Sequence, residues 1–351
     1  MTQAQLASAV SLDRSVLAKI ETGQRRVGAL ELALVAEALD ERVEWFVTEA
    51  PQAIVSHRNL QEPGTPSPSI DRIIERVARS VEFVQENGGL ALATTSELTP
   101  PAGVGQAEKA AIAVRSNLGL NATEPVLEIA QRVVDLGLLA FSFDLGTDSA
   151  DAASILLGHG GIAVVNGSLH VGRRRLALAH EFGHYVFADE YTVDWRVAEH
   201  GDESGWEARL DRFARAVLLP EAGLIAEWTR RRDGGADVRT AAVQVASTYR
   251  VDMSTLARRL QELHLADPST VSKVRGTRTT RADIVELDLV VPHELEAPSL
   301  PRPYEEAVLR LYRNDHVSPE RAIDLLFDTW SEADLPDLPM LPEGAIWKFV
   351  S

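Results

Sequence analysis

The segment RRRLALAHEFGHYVFADE, residues 173–190, constrains the fold of this 351-residue chain more than any other. Its two histidines, His180 and His184, are four residues apart. Positions i and i+4 of an α-helix lie on one face, one turn apart, so a helix here would let both imidazoles reach one metal ion. Glu181 would project about 100° around the helix from His180, beside that ion. The spacing therefore predicts a helix with two metal ligands and a neighbouring carboxylate.

The composition limits which side chains can hold a metal. The chain has no cysteine and nine histidines, which excludes disulfides and thiolate sites and leaves His, Asp and Glu as ligands. A catalytic zinc site needs a third protein ligand and keeps a fourth position for water. The alternative interpretation of HEFGH is a helix with one buried and one exposed histidine.

Glu207 is the predicted third ligand. It opens the segment EARLDRFARAVLLP, and Asp211 follows one helical turn later on the same face. Since ligating imidazoles usually donate their second N–H to an outer acceptor, Asp211 is predicted to be that acceptor. The alternative for both carboxylates is a solvated helix face. Glu190 is a rival ligand, and the weaker candidates are His159, His170 and His200.

Hydrophobic periodicity predicts an α+β fold. Short helices are expected at residues 3–9, 13–21 and 29–39, and strands at 138–145, 153–159 and 161–171. The Pro- and Ser-rich stretch 51–69 is expected to be a linker. The predicted regions are an all-α N-terminal domain (1–50), a linker and helix (51–106), a domain with a small sheet and the HEFGH helix (107–265), and a mostly helical C-terminal region (266–351).

Charge and hydropathy exclude several classes of protein. The formal net charge of −17 argues against a nucleic-acid surface spread over the whole chain, so any DNA contact must be local. No apolar run reaches the roughly 18 residues of a membrane span. The start, MTQAQLASAV, lacks the basic residues and apolar core of a signal peptide. We therefore expect a cytoplasmic protein with no membrane partner.

Two segments, RRRLALAHEFGH and ExxxDRFARAVLLP, resemble the ImmA/IrrE family of zinc-dependent endopeptidases. The resemblance spans residues 107–265, and it includes a strand ending VVN and the later segment TAAVQVASTYRVDMSTLARRLQELHL. It implies a zincin-like domain with one zinc ion per chain.

The same resemblance implies a role for each site residue. His180, His184 and Glu207 would be the zinc ligands, and Glu181 would be the general base that takes a proton from water. A partner for the oxyanion is also required. For that role the candidates are Tyr185, Tyr191 and His200.

The N-terminal segment TQAQLASAVSLDRSVLAKIETGQRRV resembles the helix-turn-helix of the Xre/Cro class. Ser11 stands where that class has a turn glycine, and the first helix of the class should precede Thr2, so a truncated domain is expected. The alternative is a helical adaptor or dimerisation module. The residues predicted to contact DNA are Gln3, Arg14, Ser15, Lys19, Arg25 and Arg26.

Together the two resemblances predict a DNA-associated zinc endopeptidase and transcriptional regulator that cleaves a regulatory protein. In the ImmA/IrrE family that protein is a repressor of the Xre class. Fusion to a DNA-binding domain would raise the local concentration of the peptidase at its target.

The alternative function is an antitoxin-type autorepressor. Such a protein would bind operator DNA and neutralise a toxin encoded beside it, with the peptidase site secondary. The acidic tail YEEAVLRLYRNDHVSPERAIDLLFDTW would then dock on the basic toxin. The competing interpretation is that this tail only packs on the peptidase domain. Either function is compatible with a homodimer.

Overall fold

In the computed structural model, the described residues are 1–39, 43–47, 56–58, 68–93, 97–146, 149–187 and 203–338. Helices and a small mixed sheet give these residues an α+β fold, as the periodicity predicts. The chain divides into two compact units, Met1–Pro51 and Gln52–Ser351. The finer division into four regions stays a prediction.

The described residues of the first unit form the helices α1 (Gln3–Ala9), α2 (Arg14–Glu21), α3 (Ala29–Leu39) and α4 (Val43–Val47). Thr2 caps α1 because its hydroxyl accepts from the backbone of Gln5, whose side chain accepts from the Thr2 N–H in return. Ser11 adopts a left-handed conformation (φ 54°) in the turn before α2. The small core of the unit consists of Leu6, Ala7, Val10, Leu17 and Val35.

The second unit contains a four-stranded sheet with the order β1-β3-β4-β2. The parallel pair is β2 with β4, and both other pairings are antiparallel. The strands are β1 (Ser56–Arg58), β2 (Leu138–Phe143), β3 (Ala152–Leu156) and β4 (Gly161–Asn166). Strand β1 lies inside the stretch 51–69 that is predicted to be a linker. Three residues are too few to show a period-2 pattern, so the sequence gives no signal for it.

Helices cover both faces of the sheet. Leu138 and Ala140 pack on one side with α8 (Val171–Phe187), whereas Leu139 and Phe141 pack on the other side with α5 (Pro68–Gly88) and α15 (Arg302–Arg313). This alternation follows from the two-residue period of a strand. Helices of the second unit are α5 (Pro68–Gly88), α6 (Val104–Asn117), α7 (Ile129–Val134), α8 (Val171–Phe187), α9 (Glu203–Leu218), α10 (Glu221–Asp233), α11 (Val238–Tyr249), α12 (Met253–Glu262), α13 (Pro268–Gly276), α14 (Arg281–Glu286), α15 (Arg302–Arg313) and α16 (Pro319–Leu325). Within the described ranges, none is long and apolar enough to cross a bilayer.

The C-terminal helices use their apolar faces inside the chain. Tyr304 and Leu311 of α15 and Leu325 of α16 are buried in the core on the second face of the sheet, together with α5. Tyr304 also donates a hydrogen bond to the carbonyl of Leu325 at 2.7 Å. Of the two interpretations of this tail, packing is therefore the one that these contacts support. The apolar face of these helices is thus buried within the chain, and docking on a toxin stays a prediction.

A buried ion pair ties the segment before α15 to the start of α8. The guanidinium of Arg175, which has no solvent exposure, donates to Glu294 and to the carbonyl of Val126. Glu294 also accepts from Arg250 at 2.5 Å and from the backbone N–H of Ile129 at 3.0 Å. Burial opposes the charge of Glu294, but these donors hold the pKa of its carboxyl below the ordinary value.

Glu294→Ala should therefore destabilise the second unit by about 3–5 kcal/mol, because it leaves the charge of Arg175 buried without its carboxylate. Urea unfolding at neutral pH measures this loss. Glu296→Ala is the matched control, since the Glu296 side chain is 60% exposed and the change should stay within about 0.5 kcal/mol. Equal stability of the two variants would contradict the importance of the buried pair.

Candidate metal centre

Helix α8 carries HEFGH and is buried over most of its length. Every residue from Arg174 to Phe187 is buried. The exposed fractions of His180, Glu181 and His184 are 2%, 0% and 3%. Burying three polar side chains so close together costs free energy unless hydrogen-bond partners or a ligand replace the lost water. The groups around these side chains must therefore supply that compensation.

Gly183 explains how α9 reaches these histidines. A Cβ atom at this position would lie 3.0 Å from Leu210 Cδ2 and 3.1 Å from Phe213 Cδ1, both on α9. The absence of a side chain thus permits the close contact between the two helices. The ring of Phe187 packs against Phe213 and Trp206 at centroid distances of 5.1 and 5.8 Å. The result is that α9 presents its first turns to the histidine face of α8.

The close contact brings His180, His184 and Glu207 together. The Glu207 carboxylate lies 3.0 Å from His180 Nε2 and 3.7 Å from His184 Nε2. One ligand atom from each residue lies within 4.8 Å of the others. Such a group of two imidazoles and one carboxylate, with the Glu207 side chain 43% exposed, can hold a divalent metal that remains open to solvent on one side.

Asp211 lies at the second nitrogen of His180. Its Oδ1 atom is 3.0 Å from His180 Nδ1, which is the arrangement that the one-turn spacing from Glu207 suggests. A hydrogen bond from Nδ1–H to this carboxylate fixes the tautomer and leaves the lone pair of Nε2 on the side of Glu207. Asp211 therefore orients His180 toward the ligand group.

The residues present fit a zinc ion. Among the described residues, neither ring nitrogen of the buried His184 has a hydrogen-bond partner, and a metal would satisfy one of them. Burial lowers the pKa of His184 to about 3, so the ring is neutral and able to ligate at neutral pH. Burial opposes ionisation of Glu207, but its contacts with the two imidazoles hold its pKa below the ordinary value.

Glu181 is held by a residue that the sequence analysis did not find. The hydroxyl of Ser154 on β3 donates to Glu181 Oε2 at 2.6 Å, and both side chains are buried. Ser154 is on the same face of the sheet as Ala152, the face that packs against α8. A serine in an apolar strand carries no motif, and only the pairing of sheet and helix reveals its role.

Two more residues connect the centre to the helices around it. Arg215 lies 3.4 Å from Asp211 Oδ2 and 2.9 Å from Glu262 on α12. Both Arg215 and Glu262 are at most 10% exposed in their side chains. The sequence does not indicate this contact, since Glu262 is 55 positions from Glu207 along the chain and only the packing of α12 brings it near.

Of the other candidates from the sequence, those that the structure describes are not part of this group. The hydroxyl of Tyr185 donates to the carbonyl of Leu136 at 2.9 Å, so it already has a structural partner. His159 and His170 are exposed and lie outside the ligand group. Three candidates, Glu190, Tyr191 and His200, lie outside the described residues.

Five of the six residues predicted to contact DNA are exposed, and Gln3 is half-buried. Arg14, Ser15 and Lys19 are exposed on α2. Gln3 connects α1 to α2, because it accepts from Arg14 at 3.1 Å and donates to Glu21 at 2.6 Å. The other two residues, Arg25 and Arg26, are also exposed, and Arg25 pairs with Glu31 at 2.8 Å.

The low pKa of His184 predicts how the stability of the metal-free protein depends on pH. Below pH 6.5, the ordinary pKa of histidine, the His184 side chain is protonated in the unfolded chain. In the folded chain it stays neutral until about pH 3. The contribution of neutral His184 is thus complete above pH 6.5 and declines at lower pH, by at most about 1.4 kcal/mol per pH unit. Denaturant unfolding from pH 7 to 4 should show a steeper loss for wild type than for His184→Gln. His293→Gln, a change at a side chain that is 75% exposed, should keep the wild-type slope.

Family comparisons agree with both sequence resemblances. Residues 135–261 match the IrrE N-terminal-like domain of peptidase family M78, and residues 1–46 match the helix-turn-helix family. No curated protein shows a significant match to the chain. The first match includes α8 and α9 with His180, His184 and Glu207. The chain therefore joins a segment similar to the helix-turn-helix family to a segment similar to the IrrE N-terminal-like domain.

Proposed function

We propose that this chain is a zinc-dependent endopeptidase, that its N-terminal unit binds DNA, and that it cleaves a regulatory protein. The observation that supports the proposal most is the convergence of His180, His184 and Glu207 beside the buried Glu181. Two imidazoles and one carboxylate are the ligand set of a zinc hydrolase. The match to an IrrE-like peptidase family supports the same chemistry.

Each side chain of the site has its own role in the proposed reaction. A bound zinc ion would supply Lewis acidity, which polarises a peptide carbonyl and lowers the pKa of a coordinated water toward ~7. Glu181 accepts a proton from the attacking water and passes it to the leaving amine. Ser154 holds Glu181 in place through its hydrogen bond to Oε2. Asp211 keeps His180 in the tautomer whose Nε2 can ligate.

Substitutions should separate metal binding from catalysis. His184→Ala should lose stoichiometric zinc because only two ligands remain, whereas Glu181→Gln should retain zinc and lose hydrolysis by about 100- to 10,000-fold. Elemental analysis measures the zinc content of each purified variant. Hydrolysis of a quenched-fluorescent peptide library measures activity.

His170→Ala is the control, since His170 is exposed and lies outside the ligand group. It should match wild type in both measurements. Wild-type protein without stoichiometric zinc, or a Glu181→Gln variant as active as wild type, would contradict the proposal.

The proposed DNA contact is supported by charge as well as by the helix-turn-helix match. Four basic residues and one acidic residue lie between Arg14 and Arg26, although the whole chain carries a net charge of −17. The exposed Arg14 and Lys19 on α2 provide local positive charge for phosphates. A peptidase held at DNA in this way would meet DNA-bound regulators at raised local concentration.

Lys19→Ala should weaken binding to a short random-sequence duplex and reduce the slope of log K against log salt by about 1, because one phosphate contact is lost. Fluorescence anisotropy over a salt series measures both quantities. Lys109→Ala, an exposed lysine of the second unit, should leave them unchanged. The same slope in wild type and Lys19→Ala would exclude Lys19 from the interface.

A further inference from the structure

Strand β3 is the part of the sheet that touches the candidate metal centre. Its residue Ser154 bonds to Glu181, and its residues Ala152 to Ile155 are buried. One edge of β3 pairs with β4, and the other edge pairs with β1. We call this second edge, along Ala152–Leu156, the outer edge of β3. This edge belongs to the strand whose Ser154 is hydrogen-bonded to Glu181, the proposed general base.

The outer edge is covered by a short segment of the same chain. Strand β1, Ser56–Arg58, runs antiparallel to β3 in the register Ser56 to Ser154, His57 to Ala153 and Arg58 to Ala152. Ser56 is thus directly opposite the serine that holds Glu181. Strand β1 also lies next to α8, the helix of the two histidines. A backbone segment therefore already lies along the edge beside the candidate centre.

An endopeptidase needs an edge of this kind. Peptide bonds are cleaved in extended segments, and an extended peptide binds a free strand edge through main-chain hydrogen bonds. The N–H and C=O groups of a strand edge pair with one neighbour at a time. A peptide substrate and β1 consequently exclude each other on the outer edge of β3.

We propose that Ser56–Arg58 is a built-in competitor of an extended peptide substrate for the outer edge of β3. The proposal rests on the function proposed above and adds the regulation of substrate access. The competitor is short, since it pairs with three residues of β3, and pairing of that length is weak enough for a substrate to displace. The chain thereby favours substrates that pair along the whole of Ala152–Leu156.

The double variant Ser56→Pro/His57→Pro tests this in the zinc-loaded full-length protein. Successive N–H groups of a strand point to opposite sides, so two consecutive prolines remove any donor that β1 offers to β3 from these positions. Ser56→Ala/His57→Ala is the matched control, because it keeps the backbone donors. Amide hydrogen exchange over residues 152–156 reports whether the outer edge is covered, and peptide-library hydrolysis reports KM and kcat.

We expect the proline variant to exchange faster over residues 152–156 and to show a KM about tenfold lower at unchanged kcat, the order expected for one or two backbone hydrogen bonds. The alanine variant should behave as wild type. Unchanged exchange would show that β1 does not cover the edge, and faster exchange with unchanged KM would show that the substrate binds elsewhere. Either result overturns the inference.

Two further outcomes are distinguishable from these. If wild type cuts itself at β1 and Glu181→Gln does not, the segment is a substrate rather than a competitor, and the inference is wrong although the peptidase function stands. If zinc-loaded wild type and the proline variant both fail to hydrolyse any peptide, the proposed function fails, and this inference fails with it.

Discussion

The candidate centre depends on the close contact between α8 and α9 at Gly183. Because Gly183 of α8 has no Cβ atom, Leu210 and Phe213 of α9 can approach its backbone to van der Waals distance. That contact fixes the distance and rotation of α9, so Glu207 meets the Nε2 side of His180 and Asp211 meets the Nδ1 side. One turn of helix separates the two carboxylates, and one turn separates the two histidines. The geometry of the centre is thus set by the one-turn spacings within α8 and α9 and by the absence of a side chain at Gly183.

Buried charge around the centre is balanced in pairs rather than left to solvent. Asp211 contacts Arg215, which pairs with Glu262, and Arg259 of the same helix as Glu262 pairs with Glu108 on α6. Breaking one member of such a pair leaves an uncompensated charge in a medium of low dielectric constant, which is far more costly than losing an exposed pair. These pairs therefore restrict the orientation of α9 with respect to α6 and α12.

The sheet separates the two halves of the second unit and connects them to the centre. Its α8 face carries Ser154, whereas its opposite face packs against α5, α15 and α16. The C-terminal helices belong to the core for that reason, although their sequence is amphipathic and acidic. An amphipathic pattern indicates that one face of a helix is buried, but it does not identify the segment that covers that face. The burial of Tyr304 and Leu325 in the core identifies what covers the apolar face of these helices.

Local periodicity in the sequence was sufficient to determine the helices 3–9 and 29–39, three of the strands, and the HEFGH helix with its two histidines on one face. It was also sufficient to suggest Glu207 and Asp211, because their spacing of one turn is a property of a single helix. Tertiary structure alone decided that Ser154 holds Glu181, that Arg215 and Glu262 support Asp211, and that Ser56–Arg58 pairs with β3. These contacts join residues far apart in the chain, and no local propensity specifies which distant segments meet, since that choice is made by burial and backbone pairing in the folded core.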